Sequence, residues 1–237
     1  MIAVARPVCI AERREVVYTE AHWKMLRELR KSALEIMRAL SHQSIDSVTH
    51  GSVARGDIDE KSDIDVVILD TIPSYAVEMA LQGAGLQPLK REIVIATPWQ
   101  LPKAHIHLGE NRTVTFPLVK PKLLEIEFYH FGGAVNLKQI EEETRVPGVN
   151  KQLLLIEPTG SGHVESQVIK HEAEAARKLG VSLDIVRERA GVLARRAKIG
   201  RTGIFLKRPL RSDENFEQVF KQIIDSNPAI KIRLRAR

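Results

Sequence analysis

The sequence is poor in cysteine and has no long apolar runs, and each shortage excludes a class of protein. Among the 237 residues the one cysteine is Cys9, so an intramolecular disulfide and a cysteine-based metal cluster are both excluded. No apolar run approaches the roughly 20 residues that a membrane-spanning helix needs. Charges at Arg6, Glu12 and Arg13 interrupt any signal-peptide core. We therefore expect a cytoplasmic protein with no membrane partner.

Acidic residues are scarce in the C-terminal part of the chain. Residues 151–237 contain 18 Lys and Arg against 10 Asp and Glu, a net charge of +8, whereas residues 1–150 contain 18 against 20, a net charge of −2. Such a basic excess commonly marks a partner that is a polyanion, usually nucleic acid. A merely solubilising surface is the alternative interpretation.

Apolar periodicity predicts an α+β protein of two domains. The segment Arg145-Val146-Pro147-Gly148 interrupts the periodicity and places a boundary between domains at 1–148 and 149–237. Helices are predicted at 20–41, behind a Thr19 cap, at 75–84 and over much of 165–198, and strands at 45–49, 63–70, 93–96, 113–117, 123–131 and 153–156.

The stretch from Gly51 to Leu69 carries the most information about chemistry. The Gly51-Ser52 turn offers backbone N–H groups to a phosphate, and Asp63 and Asp65 lie at the head of a predicted strand. Because side chains alternate along a strand, both carboxylates face the same side, about 7 Å apart. Two such carboxylates repel each other at neutral pH and are tolerated when solvated or bridged by a cation such as Mg²⁺.

These residues resemble the signature of the DNA polymerase β-like nucleotidyltransferase superfamily. The shared features are Gly51-Ser52, ten intervening residues, and Asp63-Ile64-Asp65 within an apolar strand. The variant Gly-Ser-x-Ala-Arg-Gly is most similar to that of the minimal nucleotidyltransferases. The resemblance covers about residues 20–135 and implies a mixed sheet flanked by helices.

The resemblance also implies in-line displacement assisted by two ions of Mg²⁺ or Mn²⁺, with an NTP as substrate. Asp63 and Asp65 would be catalytic residues and metal ligands. The family takes a third carboxylate from a neighbouring strand, for which Glu127 is our choice and Glu125 the alternative. An exposed strand with ordinary polar alternation would explain the same pair of glutamates.

Phosphate contacts are implied for the turn itself. The backbone of Gly51 and Ser52 would hold the β- and γ-phosphates, with the Ser52 hydroxyl in support. Arg55 would either contact phosphate or pair with an acid across the turn. Ser62 is expected to cap the loop, and the histidines, among them His105, show no zinc-binding pattern.

The C-terminal module resembles a helix-turn-helix over residues 172–191. Ala176 is small where two helices cross, Gly180 suits the turn, Ser182 suits a cap, and Val186 suits packing of the second helix on the first. Residues 199–210 are predicted to form a basic hairpin wing. A structural hairpin that packs on the catalytic domain or on a second copy of the chain, as in a homodimer, is the alternative. The residues predicted to contact nucleic acid are Arg187, Arg195, Arg196, Arg201, Lys207 and Arg208.

The sequence therefore predicts a metal-dependent nucleotidyltransferase that moves an NMP from an NTP to an acceptor hydroxyl, with RNA or DNA as the expected acceptor. Nucleotidylation of a partner protein, as in toxin-antitoxin pairs, is the rival enzymatic function. A non-catalytic DNA-binding regulator on a nucleotidyltransferase scaffold is the rival from another class. The tail at 231–237 is predicted to be an edge strand or a disordered basic arm.

Overall fold

The structure is a computed structural model that describes residue 7, residues 13–200 and residues 203–235, with side chains as far as residue 231. The predicted features at Cys9 and Arg201 lie outside the described residues. Two compact units are present. Unit 1 comprises Met1–Glu35, Val48–Ile64 and Lys122–Thr202, and unit 2 comprises Ile36–Ser47, Asp65–Pro121 and Gly203–Arg237.

Unit 1 contains a four-stranded antiparallel sheet and a further antiparallel strand pair. The sheet has the strand order β1-β10-β9-β8, and β2 pairs antiparallel with β7. The strands are β1 (Arg14–Val17), β2 (Val48–His50), β7 (Ala134–Asn136), β8 (Gly148–Val149), β9 (Leu154–Pro158) and β10 (Gly162–Gln167). The helices are α2 (Ser52–Arg55), α4 (Leu123–Phe131), α5 (Leu137–Glu141), α6 (Glu172–Leu179) and α7 (Leu183–Ile199), with the long helix α1 (Glu20–Ser41) beginning here and ending in unit 2.

Unit 2 is built on a sheet whose strands follow the order β11-β4-β5-β6-β3. Buried Ile93, Ala104 and Phe116 line one face, and Phe116 packs edge-on against Phe216 with ring centroids 5.3 Å apart. The strands are β3 (Ile64–Val67, whose first residue belongs to unit 1), β4 (Lys90–Ile95), β5 (Lys103–His107), β6 (Arg112–Pro117) and β11 (Leu206–Pro209), and the helices are α3 (Ser74–Gly83), α8 (Phe216–Ser226) and α9 (Pro228–Arg235).

The predicted α+β class, with a sheet flanked by helices, is confirmed. The helix at 20–41 is confirmed by α1, and the strand that contains Asp65 is confirmed by β3. The compact units differ from the predicted division at residue 148 because each unit combines three segments of chain. In unit 1, for example, β1 pairs with β10 in a register that sets Arg14 opposite Glu165.

Three local predictions are wrong. Residues 123–131 form helix α4 instead of a strand. The described residues of 199–210 do not form the predicted hairpin wing, because residues 206–209 form β11, which pairs with β4. The tail belongs to helix α9 as far as residue 235, so it is neither an edge strand nor a disordered arm there.

No helix in the described part of the chain is both long and apolar enough to cross a membrane.

Candidate functional site

The Gly51-Ser52 turn joins β2 to the short helix α2. Gly51 has φ 86° and ψ −141°, a conformation that side-chain-bearing residues rarely adopt, and its carbonyl accepts the N–H groups of Ala54 (3.1 Å) and Arg55 (3.0 Å). The N–H groups of Ser52 and Val53 begin the helix, where backbone donors have no intrahelical acceptor. Val53 is fully buried, so the turn presents the Ser52 amide in the manner that suits an anion.

One part of the predicted phosphate site is not supported. The Gly51 N–H donates to the carbonyl of Gly133 at 2.9 Å, so Gly51 serves the turn through its conformation and not as a phosphate donor. The Ser52 hydroxyl donates to the Ser62 hydroxyl at 3.1 Å. Ser62 also accepts the N–H of Asp59 at 2.9 Å, which agrees with its expected role as a loop cap.

Asp65 lies on β3, and Asp63 immediately precedes this strand. Ile64 and Val66 are almost fully buried, at 2% and 0% exposure, whereas Asp63 is exposed and Asp65 is half-buried. That both carboxylates face one side, about 7 Å apart, stays a prediction from strand geometry.

The chemistry of this pair fits a divalent cation. Mg²⁺ commonly takes one or two protein carboxylates and completes its octahedron with waters and substrate phosphates. Within the described residues, no group of three or more His, Cys, Asp or Glu is placed to hold a metal ion.

The structure does not support the reason for choosing Glu127 as a third metal ligand. It depended on a strand at 123–131, but the segment is helix α4. The Glu127 carboxylate accepts hydrogen bonds from the N–H (3.1 Å) and the hydroxyl (2.5 Å) of Ser182, the residue that caps α7. The alternative, Glu125, accepts the N–H of Lys122 at 2.9 Å and caps α4 itself. The third carboxylate stays a prediction.

Strand β6, which follows β5 and precedes β3 in the sheet order, carries no acid. Its polar residues are Arg112, Thr113 and Thr115, and the Thr115 carbonyl accepts the N–H of Ile68 at 2.9 Å. A carboxylate from a neighbouring strand, as the resemblance implies, is therefore not supplied by β6.

A hydrogen-bonded polar cluster on β4, β5 and β6 was missed by sequence analysis. His105 Nδ1 lies 2.9 Å from the Thr115 hydroxyl, and His107 Nε2 lies 3.0 Å from the carboxylate of Glu92. Burial, followed by the charges of Lys103 and His107, lowers the pKa of His105 to about 4, so this ring is neutral at pH 7. Alternation of these residues with buried apolar ones was the signal available in the sequence.

Arg55 pairs with an acid, which is one of its two predicted roles. Its guanidinium forms a bidentate pair with Asp57, with Nε 2.9 Å from Oδ1 and Nη2 3.0 Å from Oδ2, and Nη1 donates to the carbonyl of Gly132 at 2.5 Å. Both side chains are largely buried. Arg55 thus contributes to the shape of the turn, and its three hydrogen-bonded nitrogens support no phosphate contact.

Two residues of α1 that contact the carbonyl groups of α2 were also missed. Arg30 donates from Nε to the Val53 carbonyl (3.1 Å) and from Nη2 to the Ala54 carbonyl (3.4 Å). His22 Nε2 lies 2.8 Å from the carbonyl of Gly56. Burial lowers the pKa of Arg30 to about 10, so the guanidinium stays charged at neutral pH. The position of Arg30 on the apolar stripe of α1 was the available signal.

The helix pair predicted at 172–191 is present as α6 and α7. Gly180 ends α6 with φ 65°, and Ser182 caps α7 by accepting the N–H of Ile185 at 3.4 Å. Ala176 and Val186 are buried, as expected.

The described basic residues that are predicted to contact nucleic acid belong to both units. Arg187, Arg195 and Arg196 are exposed on α7 in unit 1. In unit 2, Lys207 pairs with Glu92 (3.4 Å) and Arg208 pairs with Glu214 (2.7 Å). The contact itself stays a prediction.

Comparison with known proteins gives one match. The model of the family described as Nucleotidyltransferase domain matches residues 30–190, more than half of the chain and a range that includes the Gly51 turn, both aspartates and α6. No curated protein and no solved structure matches the chain. The match agrees with the polymerase β-like resemblance of residues 51–69. The chain therefore belongs to the nucleotidyltransferase domain family, whose members transfer nucleotidyl groups.

Proposed function

We propose that the protein transfers an NMP from an NTP to an acceptor hydroxyl with the help of Mg²⁺ or Mn²⁺ bound at Asp63 and Asp65. The observation that carries the proposal is the sequence Gly51 to Asp65, which combines a Gly-Ser turn at the start of a helix with two aspartates at the head of a strand. A divalent cation bound there would neutralise charge on the leaving pyrophosphate. The family membership supports the reaction class.

Each residue of the turn has a role that follows from its geometry. The N–H group of Ser52 would donate to a phosphate oxygen, and the Ser52 hydroxyl would exchange its hydrogen bond to Ser62 for one to phosphate. Gly51 allows the backbone to turn at positive φ. Arg55 stabilises the turn from its buried side by pairing with Asp57.

A basic stripe on α7 supports a nucleic acid as the acceptor. Arg187, Gly191, Arg195 and Lys198 recur at helical spacing and are exposed. A Cβ added at Gly191 would meet nothing within 4 Å, so a phosphate backbone can approach the helix closely there. None of the three cations has an ion-pair partner among the residues that the structure describes. Such unpaired cations suit contacts to phosphates.

The test is a labelling experiment with each of the four α-labelled NTPs and Mg²⁺ or Mn²⁺. Acceptors are total RNA, mixed DNA oligonucleotides and a protein extract. The Asp63→Asn/Asp65→Asn double variant should lose at least about 10³-fold in rate, since metal-assisted charge stabilisation is worth several kcal/mol. The control is Asp70→Asn, which alters an exposed carboxylate beyond the end of β3 and should keep the wild-type rate.

The outcomes distinguish the three functions. Label in RNA or DNA, lost in the double variant, supports the proposal, and an Arg187→Ala/Arg195→Ala variant should then weaken acceptor binding most at low salt. Label in protein alone would show that the acceptor is a partner protein and not a nucleic acid. DNA binding without any NTP binding would support a non-catalytic regulator.

A further inference from the structure

The short helix α2 is fixed from its carbonyl end by side chains of α1. We propose that Arg30 is a positioning residue for the nucleotide-binding turn, because it fixes the direction in which the N–H group of Ser52 points. This inference rests on the proposed function, which assigns NTP binding to that turn. Arg30 itself touches neither the phosphates nor the acceptor and acts through α2.

The Arg30 guanidinium contacts three carbonyl groups at once. Nε donates to Val53 at 3.1 Å, and Nη2 donates to Ala54 at 3.4 Å and to Thr144 at 2.5 Å. Arg30 is 7% exposed, and Val53 and Ala54 are fully buried. A planar guanidinium presents its donors in a fixed geometry. Hydrogen bonds to three carbonyls therefore fix the orientation of the guanidinium and of the carbonyls together.

The charge of Arg30 adds to its geometry. The carbonyl end of a helix carries partial negative charge, which a cation stabilises. Burial of the guanidinium strengthens this attraction because less water screens it. With four residues, α2 has too few internal hydrogen bonds to keep its direction without outside contacts.

Three other contacts hold α2 and the residue that follows it. His22, also on α1, lies 2.8 Å from the Gly56 carbonyl, and Arg55 donates to the carbonyl of Gly132. The N–H of Val146 donates to the Ala54 carbonyl at 3.3 Å. Loss of Arg30 would leave the Val53 carbonyl without this donor in a buried site, which favours rotation of α2 toward another donor. The Ser52 amide would rotate with it.

The experiment measures NTP affinity by equilibrium dialysis and steady-state kinetics in full-length Arg30→Met and Arg30→Lys. The NTP is the one that the wild type binds most tightly. We expect Arg30→Met to raise Kd and KM for NTP at least 10-fold while kcat at saturating NTP changes less than 3-fold. Arg30→Lys keeps the charge but loses the planar fork, so it should restore part of the affinity.

A matched control separates positioning from a general loss of stability. Ile185→Ala removes a buried side chain from α7 in the same unit and should lower the melting temperature without changing NTP affinity. Wild-type Kd and KM in both Arg30 variants would overturn the inference alone. If Arg30→Met does not fold, the test compares the NTP affinity of Arg30→Lys with that of Ile185→Ala. A wild type that binds no NTP overturns the proposed function and this inference together.

Discussion

Replacement of Glu127 by Gln tests directly whether this carboxylate caps a helix or binds a metal. In the structure both of its oxygens accept hydrogen bonds from Ser182, at 3.1 and 2.5 Å. Hydrogen bonds to a charged group are worth about 1.5–3 kcal/mol each. Gln keeps the shape and one acceptor oxygen, so we expect Glu127→Gln to lower the free energy of unfolding by about 1–3 kcal/mol.

The assay combines urea unfolding with a Mg²⁺ titration of NMP transfer. A loss of 1–3 kcal/mol corresponds to a fall in melting temperature of roughly 3–9 °C. The Mg²⁺ concentration at half-maximal rate should not change, because the carboxylate is occupied by Ser182. Glu125→Gln, on the same helix, is the matched control for helix capping.

The opposite result would refute this reasoning. If Glu127→Gln unfolds like the wild type but needs far more Mg²⁺, or loses 100-fold or more in rate, then Glu127 is the third metal ligand. The hydrogen bonds to Ser182 would then not describe the active protein.

Two further predictions concern stability. Gly162→Ala would place a Cβ 1.9 Å from the Val16 carbonyl oxygen of β1, so we expect the free energy of unfolding in urea to fall by at least about 3 kcal/mol, at the upper end of the cost of overpacking. The control is Gly160→Ala, where nothing lies within 4 Å of the new Cβ. Equal stability of the two variants would contradict the pairing of β1 with β10. The pKa of His105 is lowered from 6.5 to about 4 in the folded protein. Between these pH values the unfolded chain binds a proton that the folded protein does not. The free energy of unfolding should therefore fall by up to about 3 kcal/mol as the pH drops from 6.5 to 4. Unfolding of His105→Gln over the same pH range should lack this component, and an identical pH dependence in both proteins would show that His105 is not buried as described.

Local signals in the sequence were sufficient for the turn and for β3. The apolar residues Ile64 and Val66 alternate with the aspartates, and this pattern alone predicts which side the carboxylates face. The Ser182 cap and the Gly180 turn were predictable for the same reason, because each depends on residues within one helical turn.

Helix α4 was misjudged because two periodicities coincide in one short segment. Glu125 and Glu127 alternate with apolar residues, which suggested a strand. Leu124, Phe128 and Phe131, however, follow the i, i+4, i+7 spacing of a helix, and all three pack in the core formed with α6 and α7. Tertiary packing selected the helix, and Glu127 then lay beside Ser182.

Contacts between distant parts of the chain were beyond the reach of sequence patterns. Strand β11 pairs with β4, with Leu206 opposite Ile95, so the segment predicted as a wing belongs to another sheet. Arg30 was assigned to an amphipathic helix without a partner, because the carbonyls that it contacts lie 23 and 24 residues away. Neither pairing leaves a local composition or spacing that identifies the partner.

The interleaved segments of the two units set the order in which a growing chain can fold. Strand β1 cannot pair until β10 has been synthesised, because Glu165, the ion-pair partner of Arg14, lies 151 residues later in the chain. Strand β4 likewise has an open edge until residues 206–209 have been synthesised. An N-terminal fragment that emerges from the ribosome therefore exposes unpaired strand edges, which favour aggregation. Production of this protein should respond strongly to chaperones and to slower translation, and truncation at residue 148 should give insoluble material.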